Sequence, residues 1–95
     1  MDREEARVIL SAHLATFRQR SYQELVGLMG DVHVVEVFGP SGAQYQIEVE
    51  VIWDSSREKT NLRVLGLIDN GRFLSALMPV NDSFVVGPDG APILE

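Results

Sequence analysis

Residues 44–53 read Gln-Tyr-Gln-Ile-Glu-Val-Glu-Val-Ile-Trp, and their period of two decides the fold class. Tyr45, Ile47, Val49, Val51 and Trp53 fall on one side of an extended chain, Gln44, Gln46, Glu48 and Glu50 on the other. Successive side chains of a strand point to opposite faces, so this is a strand with one face buried and one in water. That pattern belongs to an antiparallel sheet. Upstream, Gly39-Pro40-Ser41-Gly42 is a turn by composition, and residues 32–38 (Val-His-Val-Val-Glu-Val-Phe) are strand formers. Pairing Val37 with Tyr45, Val35 with Ile47 and His33 with Val49 keeps apolar residues on one face and turns His33 inward. A slip of one residue would bring Glu36 onto the core face, so the pattern selects this register.

The segments before residue 31 carry a helical period. Asp2 is placed to cap, with Glu5 completing a capping box, and Ala6, Leu10, His13, Leu14 and Phe17 make one face of a helix over 3–19. Arg18 and Arg20 suit the negative end of its dipole. Ser21 to Glu24 is a second capping box, Leu25, Leu28 and Met29 form an apolar face, and Gly30 ends a short helix over 22–29.

Downstream, 54–60 is a polar loop and 61–69 a strand. Asn70-Gly71 signals a two-residue hairpin that pairs Ile68 with Phe73 and Leu67 with Leu74, making 72–78 the partner strand up to Pro79. A short strand over 83–86 leads into Gly87-Pro88-Asp89-Gly90, and the tail from Ala91 forms an edge segment or a frayed end. The second hairpin is apolar on both faces: Leu62, Val64, Ile68, Phe73 and Leu77 on one, Leu65, Leu67, Leu74, Ala76 and Met78 on the other. Two apolar faces need two covers. The helices supply one, and the other falls to residues 79–95 or to a second subunit. Leu65, Leu67, Leu74 and Met78 are the interface candidates of the latter case. The expected fold is α+β: two N-terminal helices packed on one face of a four- to five-stranded antiparallel sheet, in a single domain over 1–95.

Composition narrows the function. The 95 residues carry eight Lys and Arg against fourteen Asp and Glu, a net charge of −6. Nucleic-acid affinity rests on cations meeting phosphates, so a nucleic-acid partner is not expected. With no cysteine there is no thiolate nucleophile and no Cys-ligated metal. No apolar stretch approaches the roughly 20 residues of a membrane span, and Met1-Asp2-Arg3-Glu4-Glu5 is unlike a secretory leader. A cytoplasmic protein without membrane contact is the expectation.

No phosphate loop, zinc-protease or calcium-loop spacing occurs. The two histidines, His13 and His33, read first as structural residues at the border of the core. As a metal or acid–base group they would need Asp31 or Glu36 beside them. Glu36, Glu48 and Glu50 make an acidic cluster on the wet face, with Arg63 as compensation from the next strand. It reads as solvation and edge protection, or as a surface for a basic partner protein. Tyr45, Trp53 and Phe73 read as core; alternatively His13, His33, Tyr45 and Trp53 wall a small pocket beneath the first helix. No serine has a histidine at a diagnostic setting, so no catalytic residue, cofactor or metal is assigned.

Two resemblances follow from these residues. The helix–short helix–strand opening from His13 to Phe38 resembles the nuclear-transport-factor-2-like (cystatin-like) α+β folds, which implies a long helix against a curved sheet and a pocket between them. Gly39-Pro40-Ser41-Gly42, Tyr45 to Val49, Trp53-Asp54, Ile68-Asp69-Asn70-Gly71 and the Phe84 to Gly90 ending resemble small uncharacterised bacterial proteins, which implies no activity. The expected function is a small non-enzymatic interaction domain, self-associating as a homodimer through its sheet. The alternatives are a cystatin-like pocket protein or minor enzyme, and an acidic inhibitor or immunity-type protein with a protein partner.

Overall fold

The computed structural model describes residues 1–72 and 78–94. Helix α1 (Arg3–Arg18) and helix α2 (Tyr22–Gly27) precede strands β1 (Val32–Phe38), β2 (Gln44–Trp53), β3 (Leu62–Asp69), β4 (Val80–Val86) and β5 (Pro92–Ile93). The strands form one antiparallel sheet in the order β1-β2-β3-β4-β5, and the helices pack on one of its faces over β3 and β4. The architecture is α+β, as the patterning requires.

Local chemistry sets the element ends. The Asp2 carboxylate accepts the Glu5 amide at 3.0 Å and starts α1. The second capping box is complete, with Ser21 Oγ accepting the Glu24 amide and Glu24 accepting the Ser21 amide, each at 3.1 Å. Helix α2 stops two residues earlier than its sequence pattern suggests. The Leu28 amide bonds back to the Leu25 carbonyl at 3.0 Å and Met29 to Val26 at 3.2 Å, tightening the last turn before Gly30 takes φ +95°. The two Gly-Pro-x-Gly segments build the same turn. Gly39 donates to the Ala43 carbonyl and Gly87 to Ala91, while Gly42 and Gly90 donate back to the first glycine of each turn.

The β1–β2 register is the expected one: Val37 opposite Tyr45, Val35 opposite Ile47 and His33 opposite Val49. The second hairpin is not. Ile68 lies opposite Val80, Val64 opposite Phe84 and Leu62 opposite Val86, so the partner of β3 begins after Pro79. The pairing of Ile68 with Phe73 and of Leu67 with Leu74 is thereby overturned. The cause is visible at the turn. Asp69 Oδ1 accepts the Gly71 amide at 2.7 Å and Asn70 Oδ1 accepts the Arg72 amide at 3.1 Å. The Asn70 side chain thus takes the Arg72 amide, the donor that a two-residue hairpin would return to the Asp69 carbonyl. Phe73, Leu74, Ala76 and Leu77, and most of the strand expected over 72–78, lie outside the described residues.

The core lies between α1 and the sheet: Ala6, Leu10, Leu14 and Phe17 meet Tyr45, Ile47, Val49, Val51, Leu62, Val64 and Ile68. Helix and sheet come closest at Gly66. A Cβ there would stand 2.9 Å from a Leu10 methyl and 3.0 Å from a Leu14 methyl. The space under the middle of α1 is therefore filled by leucine.

Candidate functional site

The sheet face away from the helices carries Val32, Val34, Glu36 and Phe38 from β1, opposite Glu50, Glu48, Gln46 and Gln44 from β2. Leu65 and Leu67 stand next to Glu50 and Glu48 on β3. The two leucines are half-buried, and with Val32, Glu48 and Glu50 they line a shallow groove of about 60 Å³. Among the described residues, the tail does not line this groove. Residues 80–86 and 92–93 extend the sheet sideways as β4 and β5, with Val85 opposite Ile93. Of the other two interface candidates, Leu74 lies outside the described residues. Met78 is exposed at the entry to β4, where its carbonyl accepts Arg3 Nη1 at 2.9 Å.

Strand β1 is open in a second sense. It ends the sheet, and Phe38 is 72% exposed, Val32 52%, Val34 50% and Val35 38%. Val35 is on the helix side, yet the helices sit over β3 and β4 and leave it uncovered. The edge is seven residues of unbroken strand with one charge, Glu36, and neither lysine nor proline. Proteins usually guard such an edge with those residues or with a bulge.

Glu36, Glu48 and Glu50 share the outer face, as their alternation requires. Glu36 accepts Gln44 Nε2 at 3.0 Å. Arg63 is on that face too, bonded to Asp54 through Nε at 3.0 Å and Nη2 at 2.9 Å, and to Ser83 Oγ at 2.7 Å.

The four side chains assigned to a pocket are engaged separately. His13 is half-buried with its ring edge-on to Phe17 at 5.5 Å. His33 Nε2 donates to the Leu28 carbonyl at 3.1 Å, tying β1 to the end of α2. Trp53 packs against the edge of the core, and Tyr45 is buried. Three of the cavities found are lined by none of these four, and one of about 200 Å³ near Gln44 and Asn70 is lined by Tyr45 alone. Among the described residues, no group of three His, Asp or Glu side chains is arranged to hold a metal ion. No helix among them is long and apolar enough to cross a membrane.

Two clusters escaped the sequence reading. Glu5 does not return to the Asp2 backbone to close the first capping box. Its carboxylate accepts Ser41 Oγ and Tyr45 Oη, each at 2.7 Å, and the Ser41 amide at 3.2 Å. The Ser41 hydroxyl, then the Tyr45 phenol, hold the Glu5 carboxyl below its usual value. Burial first, then the Glu5 carboxylate, push the Tyr45 phenol up to about 12. A Cβ at Gly39 would overlap the Glu5 carboxylate, so the first glycine of the turn makes room for this lock. The other cluster sets Arg18 over the ring of Phe84, 4.3 Å from its centroid, and Arg20 over Phe17 at 5.3 Å. Glu5 and Tyr45, like Arg18 and Phe84, are too distant in the chain to leave a local spacing to read.

Comparison with known protein families, with characterised proteins and with solved structures finds no match for this chain. The geometry itself defines a two-layer α+β protein whose sheet is open at one edge and on one face.

Proposed function

We propose that this chain is a small non-enzymatic interaction domain that forms a homodimer by adding β1 of one copy to β1 of another. The observation that carries this reading is the unguarded edge of β1, with four large apolar side chains each more than a third exposed. Antiparallel addition about a two-fold axis at Val35 supports it further. That register sets Val32 against Phe38, Val34 against Glu36 and His33 against Val37, and keeps the two Glu36 carboxylates apart. The Phe38–Val32 contact falls at the mouth of the groove that Leu65 and Leu67 line. Main-chain bonds along a free edge supply affinity in strand addition, and the alternating side chains supply specificity. The expected site is in the cytoplasm.

A second reading rests on Glu36, Glu48 and Glu50 sharing one face with Val34 and Leu67. Such a mosaic suits a basic, partly apolar protein, and repels a second copy laid face to face. Sedimentation equilibrium over a hundredfold concentration range tests the first reading. The wild-type chain is expected to dimerise, and Val34→Glu, at a half-exposed position that this register sets against Glu36 of the other copy, to remain folded and monomeric. A monomer at every concentration refutes the homodimer and leaves the acidic-face reading. That reading then requires capture of a basic polypeptide that weakens with salt and is lost on charge reversal of Glu48 and Glu50.

A further inference from the structure

The cations of this acidic chain are mostly occupied or scattered, and Arg18 is the exception. Arg63 is bonded to Asp54 and Ser83, and Arg3 to the Met78 carbonyl. Arg18 stands at the end of α1 with its guanidinium over the Phe84 ring. Among the described residues it has neither a hydrogen bond nor a carboxylate within ion-pair distance. Beneath it, Phe84, Val86, Gly90 and Pro92 wall a largely apolar cavity of about 140 Å³, open on one side. Asp89, which lines a neighbouring cleft with Arg18, accepts the Ala91 amide on its Oδ1 at 3.0 Å and makes no ion pair with Arg18. Arg20 lies on the Phe17 ring with Glu24 beside it.

We infer that this cleft is a binding site for a small apolar monocarboxylate, with its carboxylate on the Arg18 guanidinium and its hydrocarbon part against Phe84, Val86 and Pro92. A guanidinium laid on an aromatic face is desolvated on that side and held in place. Its N–H groups lie in its own plane, in the fork geometry that matches a carboxylate. An apolar cavity of roughly 150 Å³ holds a molecule the size of benzene, so this one takes a single ring or a short branched chain. A bare phosphate would satisfy the arginine and leave the apolar wall wet. The inference is independent of the β1 edge, because the cleft is built from the end of α1, β4 and the β4–β5 turn.

The test is a titration of the full chain with benzoate, followed by amide chemical shifts. Saturable shifts are expected at Phe84, Val86 and Gly90 with a dissociation constant in the millimolar range, as suits a ligand of so few atoms. Benzamide, of the same shape without the charge, is expected to bind at least about tenfold more weakly. Arg18→Gln is expected to abolish the shifts. Arg18→Lys, which keeps the charge and loses the planar fork, is expected to weaken binding by about tenfold. An undisturbed amide spectrum of each variant establishes that it is folded. Four results would overturn the inference: no saturable shift, equal binding of benzamide, unchanged binding in Arg18→Gln, or inorganic phosphate binding as tightly as benzoate at the same amides.

Discussion

Replacement of Gly66 by valine sets two forces against each other with opposite signs. Strand preference alone favours it, because valine exceeds glycine in a strand by about 1 kcal/mol. Packing opposes it. The new Cβ would stand 2.9 Å from Leu10 Cδ1 and 3.0 Å from Leu14 Cδ2, and both leucines are buried. Three carbons forced into a filled seam put the strain at about 3 kcal/mol, the upper end of the usual range for overpacking. The expected net loss is about 2 kcal/mol, a fall of roughly 1–2 M in the urea midpoint. Leu14→Ala removes three carbons from the same seam and on its own costs about 3 kcal/mol. Together the two changes conserve volume, and such exchanges usually cost less than about 1.5 kcal/mol. The double variant should therefore be no worse than either single one, which makes the coupling at least about 3 kcal/mol. Urea unfolding followed by Trp53 fluorescence, at one fixed protein concentration, measures all four chains. A midpoint that rises in Gly66→Val, or losses that add to within about 0.5 kcal/mol, would refute the close approach of α1 to β3.

Glu5 gives a pH dependence of definite sign. Its folded pKa lies below the ordinary 4.5, so its contribution is complete above about 4.5 and is lost as the pH falls through the folded value. Glu5→Gln is expected to flatten the acid limb of stability against pH, and parallel limbs in the two chains would contradict the Ser41–Tyr45 lock. Tyr45 gives the alkaline counterpart. Its phenol is raised from 10.0 to about 12, so its contribution is present below 10.0 and fades as the pH climbs towards 12. Phenolate absorbance should show a late component that Tyr45→Phe removes, and a wild-type chain whose tyrosines have both ionised by about pH 10 would be inconsistent with it.

How much of this was legible in the chain depended on whether a partner lay within reach of a local pattern. The β1–β2 register was, because strict alternation from Gln44 to Trp53 leaves one way to bury Tyr45, Ile47 and Val49 together. The partner of β3 was not. Asn70-Gly71 is a hairpin signal only if the asparagine side chain leaves the backbone alone, and here Asp69 and Asn70 both bond it. Valines 85 and 86 made the end of β4 readable, while Asn81 and Asp82 hid its start: they point to neither a helix nor a strand, and only pairing with β3 makes them extended. The candidate interface was half-legible. Alternation put Leu65 and Leu67 on the outer face, but it had no means to show that β1 would be the edge.

The exposure of β1 follows from the proportions of the two layers. A helix is about 10 Å wide and strands are spaced about 4.8 Å apart, so one helix shelters about two strands. Helix α1 lies over β3 and β4. Sheltering β1 as well would take a second helix of comparable length, and α2 has six residues, about 9 Å. It reaches β3 and, through His33, the first part of β1, and leaves Val35 uncovered beyond it. Lengthening the sheet is the remedy that needs no further helix, because a strand added beside β1 covers its backbone groups and the flanks of Val32, Val34, Val35 and Phe38 at once. A partner laid on the outer face alone would leave both the edge and Val35 in water. On that ground the edge, more than the face, is where this fold is unfinished.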